Sequence, residues 1–132
     1  MTGFPLKIVT PDGLEFDGIA EQLIVRTITG DMGIMAKHAD CVAPLGMGEA
    51  TVVIDGQRRR AACIGGMVSV INGAVNLVPT TFEWAENIDV ARAEASEKRA
   101  QAILSNKNAS DTEIKLARAR MKRALVRMNV RK

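Results

Sequence analysis

Glycine is confined to the first part of the chain, and this distribution separates two kinds of structure. All eleven glycines lie at or before Gly73. Asp55-Gly56 and Asn72-Gly73 each interrupt a run rich in apolar residues. Both dipeptides tolerate the positive φ angles that a two-residue hairpin turn requires. The first part therefore predicts antiparallel strands, with one hairpin over residues 51–64 and another over residues 67–78.

Two further runs in this part also predict strands. Residues 6–10 alternate in polarity and end at the turn Pro11-Asp12-Gly13, and residues 21–26 form a β-branched run. Short strands at about ten-residue spacing are typical of a β-sandwich or flattened barrel. Because only 3% of the residues are aromatic, the core must be filled by aliphatic side chains and methionine.

From Asn87 onward, good helix formers dominate the sequence. Asn87 is predicted to cap a first helix over residues 88–104. Ser110 and Glu113 have the spacing of a capping box, which predicts a second helix from there to about residue 129. Two helices joined by a short loop are expected to lie antiparallel.

The second helix carries an apolar stripe, which is predicted to pack on another surface. Its members are Ile114, Ala117, Met121, Ala124, Leu125 and Met128. Four arginines follow one flank at three- and four-residue spacing, namely Arg120, Arg123, Arg127 and Arg131.

Charge divides the chain at the same point. Residues 1–86 hold six basic and ten acidic side chains, a net charge of −4. Residues 87–132 hold twelve basic and five acidic side chains, a net charge of +7. This asymmetry predicts two parts with different partners, a β-sandwich domain over residues 1–86 and a helical hairpin over residues 87–132, which the family resemblance given below makes the docking domain and the regulatory domain.

Several partners would suit the arginine flank of the second helix. Like charges four residues apart repel slightly, so their repetition indicates an anionic counterpart. An acidic protein surface, a polyphosphate ligand and nucleic acid are all possible, and a solvated helix face is the plainer interpretation. A nucleic-acid-binding module is thus the alternative function, but the acidic first part and the few aromatic side chains count against it.

The sequence offers no catalytic or metal-binding set. His38 is the single histidine and has no nucleophile beside it, and the glycine pairs lack the Gly-Lys-Ser/Thr of a phosphate loop. Cys41, Cys63 and His38 cannot complete a four-ligand zinc site alone. The cysteines are expected to be free and buried, since no secretion signal or membrane-length apolar run indicates an oxidising compartment. A disulfide is the less favoured alternative.

Four motifs, in chain order, resemble one family. They are residues 6–13 (LKIVTPDG), residues 30–39 (GDMGIMAKHA), the Gly65-Gly66 pair before a strand, and residues 88–93 (IDVARA). Together they resemble the epsilon subunit of the F-type ATP synthase, and the resemblance spans nearly the whole chain.

The resemblance implies a ten-stranded β-sandwich followed by an antiparallel two-helix hairpin. It implies a non-catalytic rotor subunit that couples the gamma subunit to the c-ring of a proton- or sodium-driven synthase. The hairpin would inhibit ATP hydrolysis by meeting the beta and alpha subunits. Such a subunit is peripheral on the cytoplasmic face of the bacterial cell membrane, meets the membrane only through the complex and requires no cofactor.

The resemblance also implies three sets of contact residues. Asp31 and His38 would meet the c-ring or gamma, although Ala36-Lys37 and Asp31 depart from the Pro-Gly and Glu usual there. Contacts with the beta subunit would come from Arg118, Lys122 and Arg123. ATP, as a regulatory ligand, would be bound by Glu83, Ile88, Asp89, Arg92, Ala93, Arg99, Arg123 and Arg127.

Overall fold

The structure, a computed structural model, describes residues 2–131, so Met1 and Lys132, the outermost residues of the two predicted segments, lie outside it. The strands are β1 (Phe4–Thr10), β2 (Gly13–Ala20), β3 (Gln22–Thr27), β4 (Gly30–Ile34), β5 (Cys41–Pro44), β6 (Met47–Ile54), β7 (Gln57–Ile64), β8 (Met67–Ile71), β9 (Ala74–Val78) and β10 (Thr81–Trp84). A 3₁₀ turn (Ala85–Asn87) leads to α1 (Val90–Leu104) and α2 (Asp111–Arg131). The predicted β-sandwich with a C-terminal two-helix hairpin is confirmed.

The strands form two five-stranded sheets. The first sheet has the order β2-β1-β9-β8-β5 and the second has the order β10-β7-β6-β3-β4. Neighbouring strands are antiparallel, apart from the parallel pair β1 and β9. Both predicted hairpins are present, as β6–β7 and β8–β9. Their turn residues Asp55 and Asn72 each have φ of 51°, followed by a glycine with positive φ.

The core lies between the sheets and is mainly aliphatic. Alternate residues of each strand point inward, among them Leu6 of β1, Leu23 of β3 and Leu77 of β9, which are fully buried. Each such side chain stabilises the fold by roughly 1.5–3 kcal/mol relative to an exposed one. Phe82 and Trp84 of β10 close one side, with ring centroids 4.9 Å apart at 90°.

Both cysteines are free, as predicted. Cys63 is buried in the core, whereas Cys41 is only half-buried. Burial raises the pKa of the Cys63 thiol to about 12. The thiol therefore stays protonated at neutral pH and packs as a small apolar group.

The first helix begins later than predicted. Asp89 caps α1, its carboxylate accepting a hydrogen bond from the Arg92 backbone N–H at 3.0 Å, whereas Asn87 belongs to the 3₁₀ turn. The cap prediction was wrong because Ile88 is buried in an extended conformation, which delays the helix. The capping box of the second helix is confirmed, since Ser110 and Glu113 exchange two side chain–backbone bonds of 3.1 Å.

Alanines form the seam between the two antiparallel helices. Ala93 and Ala100 of α1 are buried, as are Ala117 and Ala124 of α2. Residues seven apart return to nearly the same helix face, so each helix offers a matching pair. The small side chains allow the two backbones to approach closely.

The predicted apolar stripe of α2 is correct only in part. Leu125 is 41% exposed, and Val126 and Val130 turn toward the sandwich instead. The helix therefore has two apolar contacts, an alanine seam with α1 and a valine contact with the sandwich. A single stripe could not show that division, because it depends on where the two neighbours of α2 lie.

We expect Gly66→Ala to destabilise the protein by about 3 kcal/mol or more. Gly66 has φ of 93°, and an added Cβ would overlap the Val78 carbonyl and lie 2.6 Å from the Pro79 Cα. Gly73→Ala is the matched control, because Gly73 has φ of 81° with nothing within 4 Å of an added Cβ. Its cost should be only about 1–2 kcal/mol of conformational strain. Urea unfolding measures both, and equal losses would rule out the steric term.

We expect Ala124→Leu to cost about 1–3 kcal/mol, because the larger side chain overpacks the seam and forces the helices apart. Ala102→Leu makes the same change at an exposed position of α1 and should alter stability by less than about 0.5 kcal/mol. Thermal unfolding followed by circular dichroism at 222 nm compares them. Similar melting temperatures for the two variants would contradict a close-packed seam.

Candidate functional site

The hairpin rests on the outer face of the second sheet. Helix α2 packs against β6 and β7. Ala62, which points outward from β7, is buried with Ile88 and Val130, and Val126 and Ala85 pack around them. These five residues are called the junction cluster below. Because Val126 and Val130 lie in the last turns of α2, the C-terminal end of that helix is what holds the hairpin on the sandwich.

An ion pair joins the hairpin to the sandwich beside the junction cluster. Arg127 of α2 donates from Nε to Oε1 of Glu83 at 2.6 Å. Glu83 lies on β10 directly opposite Ala62 of β7, so it reaches the same outer face. The two side chains are 24% and 32% exposed. This partial shielding makes the pair stronger than a typical surface ion pair.

A second polar contact lies two residues further along α2. Arg60 of β7 donates from Nη2 to the backbone carbonyl of Asn129 at 3.3 Å. Arg60 also pairs with Glu49 of β6, and this hydrogen bond raises the pKa of the Arg60 guanidinium. Glu49 therefore orients Arg60 toward the carbonyl groups that the end of α2 leaves without helical partners.

Polar contacts also fix the segment that leads into the hairpin. The Arg59 guanidinium lies 3.8 Å from the centre of the Trp84 ring and donates to Glu86 at 2.7 Å. Hydrogen bonds from its own backbone N–H and from Arg59 lower the pKa of Glu86. The carboxylate therefore stays ionised at neutral pH and ties the 3₁₀ turn to β7.

The residues predicted to bind ATP are only partly brought together. Glu83 and Arg127 form the ion pair described above, which sequence reasoning did not foresee. Ile88 and Ala93 are buried, and the Asp89 carboxylate caps α1. Their role in binding ATP stays a prediction.

The remaining predicted ATP ligands differ in exposure. Arg92 and Arg99 are exposed on α1, and Arg123 is half-buried on α2, one helical turn before Arg127. Arg123 and Arg127 therefore share a helix face of α2, and Arg92 and Arg99, seven residues apart, share a face of α1. An anion at this site would have to bridge both helices to reach all four guanidinium groups.

The residues predicted to contact the beta subunit lie in the middle of α2. Arg118 and Lys122 are exposed and Arg123 is half-buried. Lys122 borders a surface pocket of about 460 Å³ between α2 and one end of the sandwich. The pocket lining also includes Arg26, Ile28, Leu45, Met47 and Ile64. Only the tertiary structure reveals it, because these residues come from separate strands.

Asp31 and His38, the predicted c-ring or gamma contacts, lie near opposite ends of β4, Asp31 within its first residues and His38 beyond its last. Asp31 is near the β3–β4 turn and pairs with Arg26 of β3 at 2.6 Å. His38 follows the other end of the strand, and its Nδ1 lies 2.7 Å from the Ala39 carbonyl oxygen. A strand rises about 3.3 Å per residue, so the strand itself separates them. The structure does not bring these two side chains together.

The first sheet has an apolar outer face that sequence reasoning missed. Val42 is 61% exposed, Ile71 53% and Val78 48%. Met67 pairs with both Pro44 and Val78, so the three form a row across β5, β8 and β9. These five residues are called the exposed apolar face below. A signal was present, since residues 67–71 are apolar at positions pointing to both sides of the strand.

The described residues contain neither a membrane-spanning helix nor a cluster of metal ligands. Within residues 2–131, no helix is both long and apolar enough to cross a bilayer. In the same part of the chain, no three metal-ligating side chains lie close enough together to hold a metal ion.

Comparison with known proteins identifies the family. Residues 3–85 match the β-sandwich domain of the ATP synthase delta/epsilon chain, and residues 86–132 match the long α-helix domain of the same chain. The ATP synthase epsilon chain of Ruminococcus albus is 40% identical over 131 residues, covering 98% of this chain and 97% of the relative. That of Bacillus velezensis is 41% identical over 125 residues, covering 95% and 94%.

Solved structures share the fold at lower sequence identity. A chain of the Euglena gracilis mitochondrial ATP synthase aligns with a TM-score of 0.81 at 19% identity, covering 92% of this chain and 77% of that one. A chain of the Tetrahymena thermophila mitochondrial ATP synthase, central stalk/c-ring, aligns at 0.61 with 13% identity, covering 97% and 96%. Since both family models and the full-length relatives agree, the chain belongs to the family of ATP synthase epsilon chains, non-catalytic subunits of that complex.

Proposed function

We propose that this chain is a rotor subunit that joins the gamma subunit to the c-ring of a proton- or sodium-driven ATP synthase, and that its hairpin restrains ATP hydrolysis. The observation that carries the proposal is the difference between the two sheets. The outer face of the second sheet is covered by the hairpin, whereas that of the first sheet exposes several apolar side chains, among them the row of Pro44, Met67 and Val78. The Tetrahymena neighbour, described as central stalk/c-ring, supports this placement.

The exposed apolar face is the proposed docking surface for gamma. Contiguous exposed apolar patches on globular proteins mark interaction sites, because covering them removes apolar area from water. The face spans the three neighbouring strands β5, β8 and β9. Asp31 and His38, near opposite ends of β4, would then meet the c-ring or the adjoining part of gamma.

The hairpin is the proposed inhibitor. Its net charge is +7, and its attachment to the sandwich rests on the small junction cluster and the Glu83–Arg127 pair. A partner could select either the attached or the released state if the two are close in free energy. When released, Arg118, Lys122 and Arg123 would meet an acidic surface of the beta subunit, with alpha alongside.

ATP is the proposed regulatory ligand, and the protein requires no cofactor. Arg92, Arg123 and Arg127 offer guanidinium groups on both helices, and a guanidinium suits phosphate because its donors form a fixed fork. Binding between the helices would favour the attached state. The acidic sandwich beside them disfavours long polyanions, so nucleic acid is not among the proposed partners.

The proposed location follows from these partners. The subunit would be peripheral, on the cytoplasmic face of the bacterial cell membrane, and would meet the membrane only through the complex. Its own described helices could not span a bilayer.

We expect deletion of residues 87–132 to leave assembly intact and to raise ATP hydrolysis by the parent complex. The core between the sheets does not include the hairpin, so the sandwich keeps its main source of stability. Reconstitution with the other subunits, followed by ATPase assays, measures both quantities. A truncated protein that fails to assemble would show that the sandwich is not sufficient for docking, contrary to the proposal.

A full-length variant tests whether inhibition depends on particular basic side chains of α2 or on the presence of the hairpin as a whole. Arg118→Ala combined with Lys122→Ala should also raise hydrolysis, whereas Lys115→Ala, which removes an exposed basic side chain one helical turn earlier, should not. If the Lys115 variant raises ATP hydrolysis as much as the double variant does, the loss of positive charge alone is responsible. Arg118 and Lys122 would then not be the residues that contact the beta subunit.

We expect Val78→Asp to weaken binding of the gamma subunit roughly tenfold or more, which corresponds to about 1.4 kcal/mol or more. Val78 lies next to Met67 in the exposed apolar face, where a carboxylate would be desolvated by the partner. Gln57→Asp adds the same charge at an exposed position of the second sheet and serves as the control. Calorimetric titration with purified gamma compares them, and unchanged affinity of the Val78 variant would exclude this face.

A further inference from the structure

The pocket between α2 and one end of the sandwich has a basic rim and apolar walls. We propose that it binds a small amphiphilic monoanion, a carboxylate joined to a short apolar body, with Lys122 and Arg26 holding the carboxylate. This second ligand goes beyond the proposed function, and its binding does not depend on regulation by ATP.

The two basic side chains of the lining come from different segments of the chain. Arg26 belongs to β3 of the sandwich, and Lys122 belongs to α2. Among the described residues that line the pocket, none is acidic. Lys122 is exposed and has no ion-pair partner within residues 2–131. The pocket therefore carries positive charge that its own lining does not neutralise.

Arg26 is held in place at both ends of its side chain. A Cβ added to Gly48 would lie 2.6 Å from the Arg26 Cβ, so the stem of Arg26 packs over the space that this glycine leaves open. The Arg26 Nε donates to Asp31 at 2.6 Å, and the terminal nitrogens of the same guanidinium can donate to another anion. A side chain held in this way loses little conformational entropy when it binds a ligand.

The charge balance favours a ligand with a single negative charge. Arg26 and Asp31 nearly neutralise each other as a pair, so Lys122 supplies about one unit of excess positive charge. One carboxylate balances that excess. A polyphosphate carries several negative charges and would be repelled by Asp31, so this pocket differs in selectivity from the arginine-rich site proposed for ATP.

The walls of the pocket are largely apolar. Ile28, Leu45, Met47 and Ile64 line it, and its volume of about 460 Å³ lies within the range of small-molecule sites. Ile28 is 68% exposed, so an apolar ligand body would cover surface that now faces water. Apolar walls with a few polar groups that fix orientation are typical of ligand pockets. The apolar body of the ligand would therefore lie against these side chains.

A ligand that contacts both basic side chains would join the two segments of the chain. Arg26 stays with the sandwich, whereas Lys122 moves with the hairpin if the hairpin is released. The ligand would then bind the attached state better and stabilise it by linkage. Lys122 is also a proposed contact of the beta subunit, so the ligand and that subunit would compete for it. This consequence rests on the proposed function, whereas binding to the pocket does not.

Calorimetric titration of the full chain with octanoate tests the chemistry of the site. Octanoate is the probe because it joins one carboxylate to a short alkyl chain. Acetate lacks the alkyl chain and octanol lacks the charge, and we expect each to bind at least tenfold more weakly than octanoate. If either control binds as tightly as octanoate, an amphiphilic anion is not the ligand and the proposal is overturned.

Two pairs of variants locate the binding of octanoate. Lys122→Gln should weaken it roughly three- to fivefold, whereas Lys115→Gln, the same change seven residues earlier on α2, should leave it unchanged. Ile28→Ser should weaken it roughly threefold or more, whereas Ile19→Ser, on β2 and 60% exposed, should not. If both members of either pair act alike, octanoate binds elsewhere, for example at the exposed apolar face, and the proposed site is wrong.

Amide hydrogen exchange tests whether the ligand holds the hairpin on the sandwich. Octanoate should slow exchange in α2 of the unmodified protein and should have less effect in Lys122→Gln. If octanoate binds but exchange in α2 is unchanged, the ligand does not bridge Arg26 and Lys122, contrary to the proposal. None of these measurements uses ATP hydrolysis, so their failure is distinguishable from a failure of the inhibitory role of the hairpin.

Discussion

The attachment of the hairpin to the sandwich is the interaction on which the rest of this molecule depends. It consists of the junction cluster and the adjoining Glu83–Arg127 pair, all near the C-terminal end of α2. The core of the sandwich is larger and does not need the hairpin. A strong core beside a modest attachment gives a chain whose two parts can change their relative position without either of them unfolding.

This arrangement gives the two sheets different surroundings. The second sheet presents Ala62 and Glu83 to a helix of its own chain, whereas the first sheet presents apolar side chains to solvent. The asymmetry suits a subunit that is held permanently on one side and regulated on the other. If the chain has the proposed function, such a division would let the hairpin move while the exposed apolar face stays bound.

The arginines on one flank of α2 follow a single sequence pattern but lie in different environments in the structure. Repeated positive charge indicated an anionic counterpart, and within the chain Arg127 finds one in Glu83. Arg118 remains exposed. Arginines of one helix therefore lie in different surroundings, Arg127 in an internal ion pair and Arg118 at the surface.

Local signals in the sequence determined the turns, the second helix cap and the division into a β part and a helical part. Asp55, Asn72 and the Ser110–Glu113 box act through backbone dihedral angles and nearby donors, which depend little on distant residues. Tertiary structure alone decided the parallel pairing of β1 with β9, the late start of α1 and the meeting of Glu83 with Arg127. Each of these depends on contacts between residues far apart in the chain, whose free energy no local pattern encodes.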